Sequence, residues 1–275
     1  MIGNDKKHKF LENKLAVIGA VLISAMVILA ILAPVICQDP LAVSPANRLK
    51  APSGAHIFGT DSYGRDLFSR VLYGARISMV AGFSVVIIAV LAGVTLGLLA
   101  GYYKKTDAVI MRVCDSLKAI PSVLLAIALM SFLGASTKNV ILTLAIVNIP
   151  DIARITRSQT LVVKNQLYIE AMKASGASPF RIIVCHILPN VISAVIVQVS
   201  FVFASTIITE AALSFLGVGV PAPQASWGNI LYEGKDVMFK AWWMIVFPGI
   251  FTAVSVFGLN MLGDGIRDVL DPKSN

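Results

Sequence analysis

Four carboxylates sit at or beside long apolar runs in this 275-residue chain: Asp115, Asp151, Glu210 and Asp264. An ionisable group inside or at the edge of a bilayer is costly unless it pairs, meets water or lines a polar path. Asp151 stands three residues before Arg154, the helical spacing for an ion pair. Asn148 and Pro150 just before it are expected to break the helix, which a span tolerates where it faces protein or a cavity. Asn148 and Asp151 are therefore candidates for a polar path across the membrane. Glu210 closes an apolar run and supports two readings, a cation site at the outer mouth or a helix-end residue at the water interface. The second is simpler and is preferred. Asp264 ends the last run near Arg267.

Other chemistry finds no constellation. Cys37, Cys114, Cys185, His8, His56 and His186 are scattered, without C-x-x-C spacing, so neither a metal site nor a disulfide framework is indicated. H-E-x-x-H is absent, and so is the phosphate-cradling loop G-x-x-x-x-G-K-[ST]. The nearest stretch, Gly228 to Gly234-Lys235, has the wrong spacing and continues with Asp236. No catalytic residue is assigned.

The elements that position these residues are read from hydropathy. The chain is 57% hydrophobic and 14% charged, with a mean hydropathy of +0.81. A soluble domain carries roughly a quarter charged residues. The class is an all-α polytopic membrane protein. Uncharged runs cover 15–36, 77–103, 119–137, 187–209 and 241–263, each near the roughly 20 residues a spanning helix needs. A sixth run starts at Asn139 and must continue through Asp151 and Arg154 to about Ser158. The first run is longer than the apolar core of a secretory signal and lacks an A-x-A-like site, so it reads as a retained anchor.

Six spans with both termini in the cytoplasm place most Lys and Arg inside, as the positive-inside rule asks. Arg48, Lys50, Arg65, Arg70, Arg76, Lys138, Lys235 and Lys240 remain outside, five of them in one loop. The organisation is then a cytoplasmic tail (1–14), an anchor (15–36), an outer loop (37–76), a core of five spans (77–264) and a second tail (265–275). In the outer loop Leu67, Val71 and Leu72 point to a short amphipathic helix. Gly93, Gly97 and Gly101 form a small-xxx-small ladder that permits close helix approach, read first as packing within the subunit and alternatively as contact with another subunit. Trp227, Trp242 and Trp243 read as an aromatic belt at the outer interface. The formal charge of +8 has no basic run with interleaved aromatic platforms, so nucleic acid is not a partner.

Residues 170–190, EAMKASGASPFRIIVCHILPN, form a polar, basic segment between two apolar runs. Glu170, Ala171, Lys173 and Ala174 favour helix. Gly176 can take a positive φ and end it. Ser178-Pro179 reads as N-cap and first helical position of a second helix. Phe180, Ile183, Val184 and Ile187 share one helical face and are expected to hold the segment on the membrane surface. Pro189 is expected where the chain turns from interface to span, and Glu170 and Lys173 to pair at the rim. Small residues around the turn suit insertion into another protein's groove.

This segment closely resembles the EAA loop of the permease subunits of ATP-binding-cassette (ABC) importers, through Glu170, Ala171, Gly176, Ile187, Leu188 and Pro189. It departs at Met172, where a third small residue is usual. Stretches 58–78, 210–231 and 247–272 are similar to the C-type permease of the dipeptide, oligopeptide and nickel transport branch. The resemblance implies the transmembrane fold of a type I ABC importer and alternating access driven by ATP. It makes Glu170, Ala171, Lys173, Gly176, Ala177, Ser178, Arg181, Leu188 and Pro189 the ATPase-coupling loop. Asn148, Asp151 and Glu210 are the candidates for the translocation path, a reading that rests on their own chemistry and not on the resemblance. It implies one or two cytoplasmic ATPase subunits that hold ATP and Mg, a sister permease, an external solute-binding protein and the lipid bilayer as partners. This chain itself binds no cofactor. Small peptides are the expected cargo, with nickel or a metal chelate second. An ion-coupled secondary transporter would predict inverted repeats about a midplane site, and no internal repeat is visible.

Overall fold

The computed structural model describes residues 10–270. Lys6, Lys7, His8 and Lys9, and the end of the C-terminal tail, lie outside the described residues. The helices are α1 (Lys14–Ile36), α2 (Leu67–Tyr102), α3 (Lys104–Lys118), α4 (Ser122–Leu133), α5 (Thr137–Lys164), α6 (Leu167–Ala174), α7 (Pro179–Phe215), α8 (Trp227–Lys235) and α9 (Trp243–Leu270). Among them α1, α2, α5, α7 and α9 are long and apolar enough to cross a membrane, and α3 with α4 makes a sixth crossing if the pair is one span.

Local chemistry sets the boundaries. Asn13 accepts from the backbone N–H groups of Leu15 and Ala16 and caps α1. Asp66 accepts from the N–H of Ser69 and starts α2. Ser136 and Ser226 cap α5 and α8 in the same way. These oxygens satisfy donors that the first helical turn leaves open. The Asp66 cap corrects the expected short amphipathic helix. Leu67, Val71 and Leu72 are fully buried in the first turns of α2, which runs unbroken for 36 residues.

Span three differs from its apolar run. α3 and α4 meet at a bend of 93°. Pro121 lies at the bend, and a residue before proline is pushed out of helical geometry. Span four differs the other way. α5 passes through Asn148 and Pro150 without a break and continues to Lys164. The expected Asp151–Arg154 pair does not form. Lys118 Nζ lies 2.6 Å from Asp151, Arg154 lies 2.7 Å from Asp115, and Arg157 holds Asp107 through two bonds of 2.5 and 2.7 Å. The reason is tertiary: α3 runs beside α5 and offers an opposite charge at each of three levels.

The bundle closes through small residues. A Cβ on Gly93, Gly97 or Gly101 would lie 2.5–2.6 Å from the Cβ of Ile152, Thr156 or Thr160, so the ladder seats α2 directly on α5. Ala16 packs against Gly265, and Gly19 against Gly258, which brings α1 against α9. α7 packs on α2, α5 and α9.

The two ends of α2 define the two ends of the molecule. At its start Leu67, Val71 and Ala75 cluster with Trp227, Ile230, Trp243 and Met244, the cap end. At its finish Leu98 clusters with Val163, Ile169, Ile182 and Ile187, the loop end. The tryptophans correct the expected belt. Trp227 and Trp243 are buried, and their indole N–H groups donate to the carbonyls of Val71 and Thr60, each at 3.0 Å. Of the three, Trp242 alone is exposed.

Candidate functional site

Residues 166–190 form a helix, a one-glycine turn and a second helix at the loop end. The N–H of Ala177 donates to the carbonyl of Met172, and that of Gly176 to the carbonyl of Lys173, each at 3.0 Å. This is the paired closure of a Schellman helix end, and it needs a left-handed residue at its centre. Gly176 supplies φ = +81°. Ser178 Oγ accepts from the N–H of Arg181 and Pro179 takes the first helical position. The turn chemistry read from the sequence is the turn chemistry of the structure.

The second helix is where sequence and structure differ. It does not stop at Pro189 but runs into the span as α7. A π-helical turn occupies Ile182–Ile187, closed by the N–H of Leu188 on the carbonyl of Ile183. Such a wide turn inserts one extra residue and lets the chain pass a proline that has no N–H to give. Ile182, Ile183 and Ile187 face inward, while Phe180 is 76% exposed and Val184 is partly exposed. Phe180, Ile183 and Val184 still share a face, lining one apolar groove with Leu91 and Leu99 of α2, and of the four expected residues Ile187 is the one turned fully inward.

The inner side of the segment is firmly braced. Ile169, Met172, Ala177 and Leu188 pack with Leu98, Tyr102 and Val163. Met172 points inward here, so a long side chain fits where a small one is usual. Lys164 Nζ donates to the carbonyl of Tyr102 at 2.6 Å and caps the end of α2. Asn190 donates to the carbonyl of His186 at 2.6 Å and reaches the hydroxyl of Tyr168 on α6. The outer side is bare: Glu170, Ala171, Lys173, Gly176, Ser178, Pro189 and Arg181 are exposed. Lys173 turns toward the ring of Tyr102, with Nζ 5.9 Å from its centroid, instead of pairing with Glu170. Leu167 and Phe180 are exposed, and Phe180 borders an apolar groove between α2 and α7 lined by Leu91, Leu99 and Val184. Large apolar side chains left in the open on a rigid platform mark a surface that meets another protein or the membrane.

The path residues are dispersed. Asn148 is buried, donates to the carbonyl of Leu144 and accepts from Ser205 on α7. Asp151 faces Lys118. Glu210 is 1% exposed rather than at a water interface. It lies within α7 beneath the α8 cap, and its two oxygens accept from Ser78 at 3.0 Å and Ser214 at 2.8 Å. No hydrogen bond joins any two of the three among the described residues.

Sequence reasoning missed a buried charge cluster at the cap end. Arg70, fully buried, bonds Asp61 at 2.6 Å and Glu233 at 2.5 and 3.0 Å. Arg65 bonds the same two carboxylates at 2.6 Å each. Asp61 also accepts from the N–H groups of Tyr63 and Arg65. Asp61 and Arg65 share a helical i, i+4 spacing although their segment is a loop, and that was the one local signal. Glu233 lies more than 160 residues away, beyond the reach of any spacing rule.

The chain is thus a multi-span helical bundle with a braced, exposed helix–turn–helix at one end. Residues 93–275 match the family described as binding-protein-dependent transport system inner membrane component, and residues 5–52 match the N-terminal transmembrane domain of oligopeptide transport permease C. The chain belongs to the binding-protein-dependent transport system inner membrane component family. It is 44% identical over 264 residues to a dipeptide transport system permease protein of Alkalihalophilus pseudofirmus, covering 95% of this chain and 87% of that one. It is 40% identical over 271 residues to the oligopeptide transport system permease protein of Bacillus subtilis, covering 98% and 89%. The fold is similar to that of a chain in an inward-facing methionine ABC transporter, with a TM-score of 0.63 and 18% identity over 74% of this chain and 97% of that one. The chain is a multi-pass permease subunit of an ABC transporter and not an enzyme.

Proposed function

We propose that this chain forms half of the translocation pathway of an ATP-driven importer of small peptides. The loop end faces the cytoplasm and the cap end faces outward. One or two ATPase subunits, which hold ATP and Mg, seat against residues 166–190. A sister permease supplies the other half of the pathway, and a solute-binding protein delivers cargo to the cap end.

The observation that carries this reading is the continuity of α7. The exposed loop is not hung from the bundle by a flexible hinge. Its second helix is the spanning helix, which extends for 37 residues, roughly 55 Å at 1.5 Å per residue. Force applied at Phe180 or Arg181 therefore moves the whole rod, including Glu210 near its far end. The inner packing of Ile169, Ile182 and Ile187 on α2 and α5 spreads the same motion to both neighbours. Asn148, Asp151 and Glu210 then act as polar joints at the edges of the pathway, each bonded to a neighbouring helix. Peptide cargo is supported by the names of the relatives, which are permeases of dipeptides and oligopeptides.

The test is uptake into sealed proteoliposomes that contain the permease pair and its ATPases, with binding protein and a labelled dipeptide outside and ATP within. Accumulation that needs ATP, survives dissipation of ion gradients and is lost with Phe180→Asp is the expected result. Uptake that follows an ion gradient without ATP would contradict the proposal.

A further inference from the structure

One groove on the flank of the bundle belongs to neither the loop nor the cap cluster. It lies between α1, α2 and α7, has a volume of about 470 Å³, and is walled by Val27, Ile31, Met79, Val80, Phe83 and Phe203. Arg76 also lines it. The basic residues before Arg76 in this region are all engaged. Arg48 donates to the carbonyl of Ser62, Lys50 to Asn47, and Arg65 and Arg70 to the buried carboxylates. Arg76 is exposed and has no hydrogen-bond or ionic partner among the described residues.

Depth says what meets that cation. Arg76 is followed by the uncharged stretch 77–103, 27 residues long, roughly 40 Å of helix. A hydrocarbon core is about 30 Å thick. Arg76 thus stands at the cap-side boundary between water and lipid. Met79, Val80 and Phe83 follow it along α2, so the groove descends from Arg76 into hydrocarbon depth. A guanidinium at this boundary pairs with phosphate through paired N–H donors, and an apolar channel below it takes a hydrocarbon chain.

We infer that this groove holds one acyl chain of a phospholipid from the cap-side leaflet, whose phosphate binds Arg76. A helix of a second protein fits less well. It is roughly 10–12 Å across, so little more than one turn would fill the space, and it would have to bring a carboxylate to Arg76 or bury that charge.

The experiment uses the assembled transporter in nanodiscs of phosphatidylethanolamine and phosphatidylglycerol, with a trace of phosphatidylglycerol carrying a photoreactive diazirine in one acyl chain. After illumination, label is mapped by peptide mass. The expected result is label concentrated on peptides holding Val27–Ile31 and Met79–Phe83, retained in Arg76→Lys and reduced at least fivefold in Arg76→Gln. Val80→Trp, which fills the groove and keeps the cation, should also remove it. Equal labelling of wild type and Arg76→Gln, or label spread evenly over the other exposed helix faces, would overturn the inference. So would efficient cross-linking of Val80→Cys to the sister permease, which would show protein in the groove.

Discussion

At the cap end Asp61, Arg65, Arg70 and Glu233 close on one another beside Trp227 and Trp243. At the loop end Glu170, Phe180 and Arg181 are exposed, Phe180 at the edge of an apolar groove, over an inner layer of Ile169, Ile182 and Ile187. The cap pairs Asp61, Arg65, Arg70 and Glu233 within the chain and buries Trp227 and Trp243. The loop satisfies only its backbone and its inner face. The cap therefore carries its own shape, whereas the loop presents a finished shape with an unfinished surface. That is what a subunit needs if one end must hold together through a conformational cycle and the other must grip a motor.

The largest expected effect breaks the cap. Arg70→Met leaves Asp61 and Glu233 without their shared cation in a buried setting, a change that costs about 3–5 kcal/mol. Thermal unfolding in detergent should show a strong loss of stability, while Arg181→Met at the loop end should leave the midpoint nearly unchanged. Gly97→Leu comes next. Its Cβ alone would lie 2.5 Å from that of Thr156, and overpacking a fitted helix contact costs roughly 1–3 kcal/mol. The variant should unfold earlier and expose Cys114, on the neighbouring α3, to thiol reagents sooner.

Smaller effects sharpen the contrast at the loop. Gly176→Pro cannot keep φ = +81°, because proline holds φ near −65°, and it loses the N–H bond to Lys173. The chain should still insert, with stability lowered by roughly 1–3 kcal/mol, but ATP-driven uptake should fall to background. Phe180→Ser removes a ring that touches little within the chain. Stability should stay within about 0.5 kcal/mol, while stimulation of the partner ATPase is lost. Asp107→Asn weakens a partly exposed pair with Arg157 and should cost about 1 kcal/mol or less, read from the unfolding midpoint at low salt.

What was legible in the sequence follows the range of the forces. The turn at Gly176 and the start at Ser178-Pro179 are local, and the structure places them as read. The Gly93–Gly97–Gly101 ladder was readable because a small-residue stripe admits few uses. The π turn at Ile182–Ile187 was not, since nothing in a run of apolar residues distinguishes wide from regular turns. The partners of Asp151 and Arg154 were misassigned because α3 supplies nearer ones. The excess of positive charge in the 48–76 region looked like a flaw in the orientation argument. Much of it is the cap cluster, in which Arg65 and Arg70 are held by Asp61 and the distant Glu233.

The most direct test of the central claim, that residues 166–190 are the seat of the ATPase, is site-specific cross-linking in the assembled transporter. A photoreactive residue at Phe180 should join the permease to an ATPase subunit with high yield, and the yield should change between nucleotide-free and ATP-bound states. The same residue at Tyr63, in the cap, should give no ATPase product. If Phe180 yields no cross-link to an ATPase in a complex that transports actively, the loop is not the coupling surface and the account fails.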